Sequence, residues 1–350
     1  MKSHQREVYF VGSVPFYADS SEVFSAISKA VGPALRWLPD GETGPRRAWL
    51  PWLEPIFSEH GQFEPTEKHY RRIYETKGNP QYRVKPGIAP EDVRFHNLPF
   101  ARIAIDSYRD FASLKQAGII PPRVRFQVCL AGVNSVIRRF VVEEQRQEIA
   151  RKYEEGVFAE IDKMSIAIPN DELAIQWDVA SAVFQYIEAG TPSAHGNTRE
   201  EMLETFSGWH ARLGDAVPEG VDLLYHLCYG DHNHRHSVEP QSSRWLVGFA
   251  NRLSAKIERP IQAIHMPVPR NRDDDAYFEP LSDLKLQPGT RLVLGLVHYT
   301  DGVEGTRRRI RAAEKYARDF MIATECGLGR REPNTIPRLL EIHAEVAGCI

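Results

Sequence analysis

The feature that most limits how this chain can fold is a recurrence of short apolar runs separated by amphipathic segments. Eight runs can be read: VYFVGSVPF (8–16), ALRWLPDGE (34–42), VRFQVCLAG (124–132), LAIQWDVA (173–180), LLYHLCYG (223–230), IQAIHMPVP (261–269), RLVLGLVH (291–298) and FMIATECGLG (320–329). They are nearly continuously hydrophobic and do not alternate, as parallel strands covered on both faces do. Helical patterns fill the gaps at 20–31, 143–164, 198–214, 242–257 and 305–320. Ser20 and Ser21 are candidate caps of the first, and Thr198 with Glu201 forms a capping-box pattern at the third. Eight strands alternating with helices predict a (β/α)8 barrel, a TIM-type α/β fold, with residues 1–350 as a single domain.

Residues 43–122 interrupt this rhythm, being rich in Pro, Tyr and Trp and lacking a clean strand–helix unit. An insertion between strands 2 and 3 at that point is expected over the C-terminal mouth of the barrel. It would serve there as part of a substrate pocket, or else as a peripheral cap or dimer contact.

Composition removes several classes of function. A net charge of −3 gives no general attraction to nucleic acid or to an anionic membrane. No run approaches the ~20 apolar residues that span a bilayer, and the N-terminal MKSHQREVYF passes from polar residues straight into an expected strand. A cytoplasmic protein is the expected class. Four cysteines (Cys129, Cys228, Cys326, Cys349) are too few for a disulfide scaffold, which leaves burial, metal binding or catalysis.

In a barrel of this kind catalytic groups come from the C-terminal ends of the strands. Those ends read Gly12 and Ser13, Asp40 and Glu42, Asp178, His226 and Cys228, His265, His298, and Glu325 and Cys326. His226 and Cys228 are i and i+2 on one strand and project to the same face, so they can grip one ion together. Cys326 joins them only if the sheet closes. Zinc suits such a donor set, but buried cysteines and a core histidine fit the spacing as well, and HxC alone does not decide. His232, His234 and His236 in DHNHRH read as a solvated loop, RRRIRAAEK (307–315) as a solvated helix face, Cys129 as a core residue and Cys349 as incidental.

GSVP after the first strand, IQWD in the fourth, HLCYGD in the fifth, GLVH in the seventh and ECGLGRR in the eighth occur in that order between about residues 8 and 331. Together they resemble the catalytic C-terminal barrel of cobalamin-independent methionine synthase. The wider superfamily includes zinc-dependent coenzyme M methyltransferases and, more distantly, uroporphyrinogen decarboxylase. The resemblance implies Zn²⁺ on His226, Cys228 and Cys326, and transfer of a methyl or other alkyl group to or from a zinc-bound small-molecule thiol. The donor would be a folate, a corrinoid or another alkyl carrier. It further implies substrate-binding roles for Ser13, Glu42 and Asp178, and a proton-transfer role for His298.

The sequence departs from the pattern at two places. The family's DEP reads DVA here (178–180), so its glutamate is missing. The family's fourth ligand, a glutamate ending the sixth strand, falls on His265, with Glu279 as a more distant substitute. Two other readings stand beside the transferase: a metal-independent decarboxylase or lyase of the uroporphyrinogen decarboxylase type, and a non-catalytic barrel with structural zinc. Thiol, donor and oligomeric state, a homo-oligomer included, are open at this level.

Overall fold

The computed structural model describes residues 5–71, 78–231 and 235–350. Its strands are β1 (Trp37–Pro39), β2 (Phe63–Tyr70), β3 (Asn79–Val84), β4 (Arg125–Ala131), β5 (Leu173–Val179), β6 (Asp222–Leu227), β7 (Ala263–Pro267), β8 (Arg291–Val297) and β9 (Met321–Thr324). Among the described residues, seven of these form one curled parallel sheet in the order β1-β4-β5-β6-β7-β8-β9, wrapped by helices. The first expected strand is not a strand. Its Val8 makes isolated parallel bridges to Leu35 on one side and Ile322 on the other, so the two sheet edges meet at a single residue and not along a ladder. Val8 N–H donates to Ala34 O at 2.9 Å and Tyr9 N–H to Ile322 O at 2.9 Å.

Strand alternation sorts side chains into two layers. Ile175, Trp177, Leu223, Tyr225 and Ile264 face the helices in the main core. Tyr9, Val11, Trp37, Ala174, Leu224, Ala263, Val293, Met321 and Ala323 form a second, inner cluster. Counting by twos from the inner residues leads to Gln176 and Asp178 on β5, His226 and Cys228 on and after β6, and His265 on β7. The period of the strand alone therefore turns these polar groups into the hollow of the sheet.

The outer layer includes helices Ser20–Val31, Arg146–Ala167, Arg199–Asp215, Arg244–Lys256, Gly302–Ala313 and Ile336–Ala347. Thr198 caps its helix as expected, accepting from Glu201 N–H, but the cap at residue 20 is Asp19, which accepts from Glu22 N–H at 2.9 Å. The long interruption is only partly irregular. Its last stretch is the helix Phe100–Gln116, packed between Ser20–Val31 and Arg146–Ala167, with Phe111 against Phe24 and Phe126. The part before it holds the antiparallel pair β2–β3 and short 3₁₀ turns at Gly44–Ala48 and Pro51–Leu53. Among the described residues no helix is long and apolar enough to cross a membrane.

The basic run 307–315 is not uniformly solvated. Arg307 and Arg308 are exposed, but Arg309 is fully buried. Its guanidinium bonds both oxygens of Asp301 at 2.7 Å and donates to Leu296 O and Arg270 O at 2.8 and 2.7 Å. Substituting methionine (R309M) strands a partly buried carboxylate and two carbonyls. Unfolding in urea should show a loss of about 3 kcal/mol, and a loss under about 1 kcal/mol would mean the cluster contributes little.

Candidate functional site

The ends of β6 and β9 meet in the hollow of the sheet. Cys228 Sγ lies 3.6 Å from Cys326 Sγ, and Cys326 Sγ lies 3.6 Å from His226 Nε2. Ligand atoms of these three residues all fall within 4.8 Å of one another, the one such His/Cys/Asp/Glu group among the described residues. The fit to zinc can be tested on these distances. Bonds of about 2.3 Å to sulfur and 2.0–2.1 Å to nitrogen at tetrahedral angles require edges of about 3.8 Å for S···S and 3.5–3.6 Å for S···N. The S···N edge on Cys326 matches and the S···S edge falls about 0.2 Å short, with the third edge inside the 4.8 Å limit. Hydrogen bonding from Cys326 pulls the Cys228 thiol well down, and the same contact pushes Cys326 well up.

His265 stands behind His226, not beside it. Its Nε2 lies 3.0 Å from Thr324 O, which can only accept, so Nε2 carries the proton. Burial, then the neighbouring His226, holds His265 well below the usual imidazole range, so its Nδ1 is a lone pair. That Nδ1 is 2.8 Å from His226 Nδ1, which must donate. His226 Nε2 is thereby left to face the sulfurs. Both nitrogens of His265 are spent, and the structure gives it an orienting place where the sequence suggested a ligand. Glu279 lies exposed in the turn Glu279–Asp283, outside the centre.

Around the cluster runs a cavity of about 40 Å³ lined by Gly12, Ser13, Glu42, Trp49, Asp178, Asp231 and Arg330 among others. Ser13 Oγ accepts from Gly329 N–H at 2.9 Å, fixing it against the ECGLGRR loop. Glu42 sits at φ +44, just after Gly41 at φ +78. This tight bend is held by Asp40, which accepts from Glu42 N–H at 2.9 Å, Arg46 at 2.8 Å and Ser107 at 2.8 Å. A Cβ on Gly12 would stand 2.9 Å from Glu42 Oε2, so glycine there gives the carboxyl its room. Burial, then the charges of Asp178 and Asp40, pushes Glu42 up to about 8. Burial likewise raises Asp178 to about 6, against hydrogen bonds from Gln176 and Trp49. Cys129 lies partly exposed beside Glu42, lining a second small cavity, and is not a core residue.

His298 belongs to a neighbouring cavity of about 280 Å³, which also takes in His236, Arg270, Glu325, Arg331 and Asp231. Asp231 lines both cavities. His298 Nε2 donates to Val268 O at 2.9 Å and its Nδ1 lies 3.9 Å from Glu325 Oε2. Burial, then Arg309, pushes it down to about 3, so it is a neutral imidazole. His232 and His234 lie outside the described residues. His236 is no loop residue in solvent: it is largely buried and hydrogen-bonded to Glu325 and Glu239.

Sequence reasoning missed Trp49, Arg330, Asp231 and Gln176. The first three come from loops beyond the strand ends, where periodicity carries no information. Gln176 was within reach, since it lies two residues before Asp178 on the same face.

No protein-family model matches the chain, and no curated protein matches it. Among solved structures, a Listeria monocytogenes protein provisionally described as a vitamin-B12 independent methionine synthase superposes with a TM-score of 0.59 at 14% identity, covering 99% of this chain and 98% of that one. The B12-independent methionine synthase from Shewanella sp. W3-18-1, in complex with selenomethionine, gives 0.54 at 14% identity, covering 83% of this chain and 76% of that one. The likeness is one of fold.

His236 supplies a pH test. Burial opposes its charge, but hydrogen bonding and attraction from Glu325 and Glu239 raise it to about 9. A raised histidine stabilises fully below its unfolded pKa of about 6.5 and loses that contribution as pH climbs through about 9. Burial also works against the charge of Glu325, which reduces the net contribution to about 1–2 kcal/mol. Urea unfolding of the metal-free protein should therefore show wild type losing its advantage over H236Q between pH 6.5 and 9. An advantage constant over that range would refute the charged pair.

Proposed function

We propose that this protein is a zinc-dependent transferase moving a methyl or other alkyl group onto a small-molecule thiol. The frame would be a (β/α)8-type barrel in which the segment around Val8 stands for the eighth strand. The observation that carries this reading is the His226–Cys228–Cys326 triangle, whose two edges at Cys326 are close to those of tetrahedral zinc and whose histidine is turned toward the sulfurs by His265. The fold likeness to B12-independent methionine synthases supports it. Three protein ligands leave a fourth position for the substrate, and a thiol bound there would be held as a thiolate at neutral pH, which is the chemistry zinc supplies.

The chain's own residues divide the remaining work. Ser13, its oxygen accepting from Gly329, keeps its hydroxyl proton to donate. Glu42, raised to about 8, is largely a carboxylic acid at neutral pH and can donate to a polar group of the substrate. Asp178 and the Arg330 guanidinium border the same cavity. His298, held neutral with Nδ1 unprotonated, can accept a hydrogen bond from a protonated group of the alkyl donor and so position it. The alkyl donor, whether folate, corrinoid or another carrier, would occupy the larger cavity that His298 lines.

Elemental analysis tests the centre directly. Purified wild type should carry one zinc per chain, and C326S and H226A should lose it. H265Q should keep the stoichiometry but bind zinc about 10–100-fold more weakly in competition with a chelating dye, as expected for an orienting partner. Wild type without zinc, indistinguishable from the two ligand variants, would overturn the proposal in favour of a metal-independent lyase. Zinc inert to added thiol would favour a structural centre.

A further inference from the structure

The chain just after β1 brings Trp49 to the wall of the cavity that the three candidate ligands also line. Its backbone sits at φ +66, ψ −76, a conformation that costs a bulky L-residue free energy and persists only where the surroundings enforce it. The residues just before it are braced. Arg46 is fixed on Asp40 at 2.8 Å, and Arg47 O comes so close to Gly329 that a Cβ there would stand 2.5 Å away. The indole N–H then donates to Asp178 Oδ2 at 2.9 Å. The other oxygen, Oδ1, accepts from Gln176 at 2.8 Å, and Gln176 does not border the cavity. Trp49 therefore sits on the side of Asp178 that a ligand would meet. The space left beside the three ligands is about 40 Å³, room for roughly three water-sized groups.

We propose that Trp49 determines specificity, restricting the acceptor to small thiols without an ammonium group. The inference rests on the thiol-transfer reading above and deepens it. A buried carboxylate next to a metal centre is the natural partner of a substrate cation. Here an aminothiol has to lift the indole from Asp178 and open a strained, braced loop, whereas an alkanethiol or hydroxyalkanethiol needs neither. Trp49 acts on the substrate through Asp178 and through the room it takes.

Reconstitution of the full chain with cobalt(II) gives a readout free of turnover, the thiolate-to-cobalt absorption band. Wild type titrated with 2-mercaptoethanol should half-saturate at a concentration at least about tenfold lower than with L-homocysteine. W49F keeps an aromatic ring but loses the N–H, and should bring L-homocysteine down by about tenfold while 2-mercaptoethanol stays within about threefold. Equal or tighter binding of L-homocysteine by wild type overturns the proposal, as does a folded W49F with an unchanged ratio. The wild-type comparison decides by itself if W49F does not fold. A wild type with no protein–cobalt thiolate band sinks the metal centre and this inference together. A band present but unmoved by either thiol sinks the thiol reading, and an inverted preference sinks only the role of Trp49.

Discussion

Curvature of the sheet is the constraint on which the rest depends. Strands β7 and β8 lie between β6 and β9, so on a flat sheet with a spacing near 4.8 Å the ends would be about 14 Å apart. The sulfurs that follow those strands are 3.6 Å apart. Such a closure needs an inner layer of modest side chains, and Ala174, Leu224, Ala263, Val293 and Ala323 supply it, with Tyr9 and Trp37 filling the floor. Val8 fixes the curl by bridging both edges at once.

Given that curvature, the buried polar side chains in the hollow pair with one another, because an unpaired buried group is costly. One chain runs from Thr324 O through His265 to His226 and ends on the lone pair facing the sulfurs. Another runs from Tyr9 through Gln176 to Asp178 and out to Trp49, with Gln127 donating to Gln176 at 3.1 Å. Both begin in the rigid floor and end at the cavity. The orientation of the candidate ligands and of the acidic wall is thus inherited from strand geometry, which gives positional precision that loop residues alone lack.

Strand ends were legible in the sequence because apolar runs and period-two alternation carry the signal, and His226, Cys228, Cys326, Asp178 and Glu42 are indeed gathered in one cavity. The place of His265 was not legible. It pairs in register with His226 across β6 and β7, and here the two rings bond to each other at 2.8 Å while the far nitrogen of His265 is held by Thr324 O. The alternation within each strand says which face His265 takes, but not which residue of β6 stands opposite it. The same holds for Val8, whose strand-like sequence yields a bridge and no ladder, and for Trp49, which reaches the cavity through a backbone conformation that composition does not foretell. Helix Phe100–Gln116 escaped because the Pro- and Tyr-rich residues ahead of it drew the whole stretch into one irregular block.

Two histidines near one carboxylate show how the larger cavity settles its protons. His236 is bracketed by Glu325 and Glu239 and pushed up to about 9. His298, on the other side of Glu325, is buried beside Arg309 and pushed down to about 3. Groups whose environments drive their pKa values apart are divided between a charged and a neutral ring before any substrate arrives. The cation at His236 is spent on its two carboxylates. The acceptor at His298 has one nitrogen tied to Val268 O and the other facing Glu325 at 3.9 Å, too far for a hydrogen bond. Of the two, His298 has the nitrogen left open to accept a hydrogen bond, and burial first, then the charge of Arg309, keeps that nitrogen unprotonated at neutral pH, against the opposing pull of Asp301.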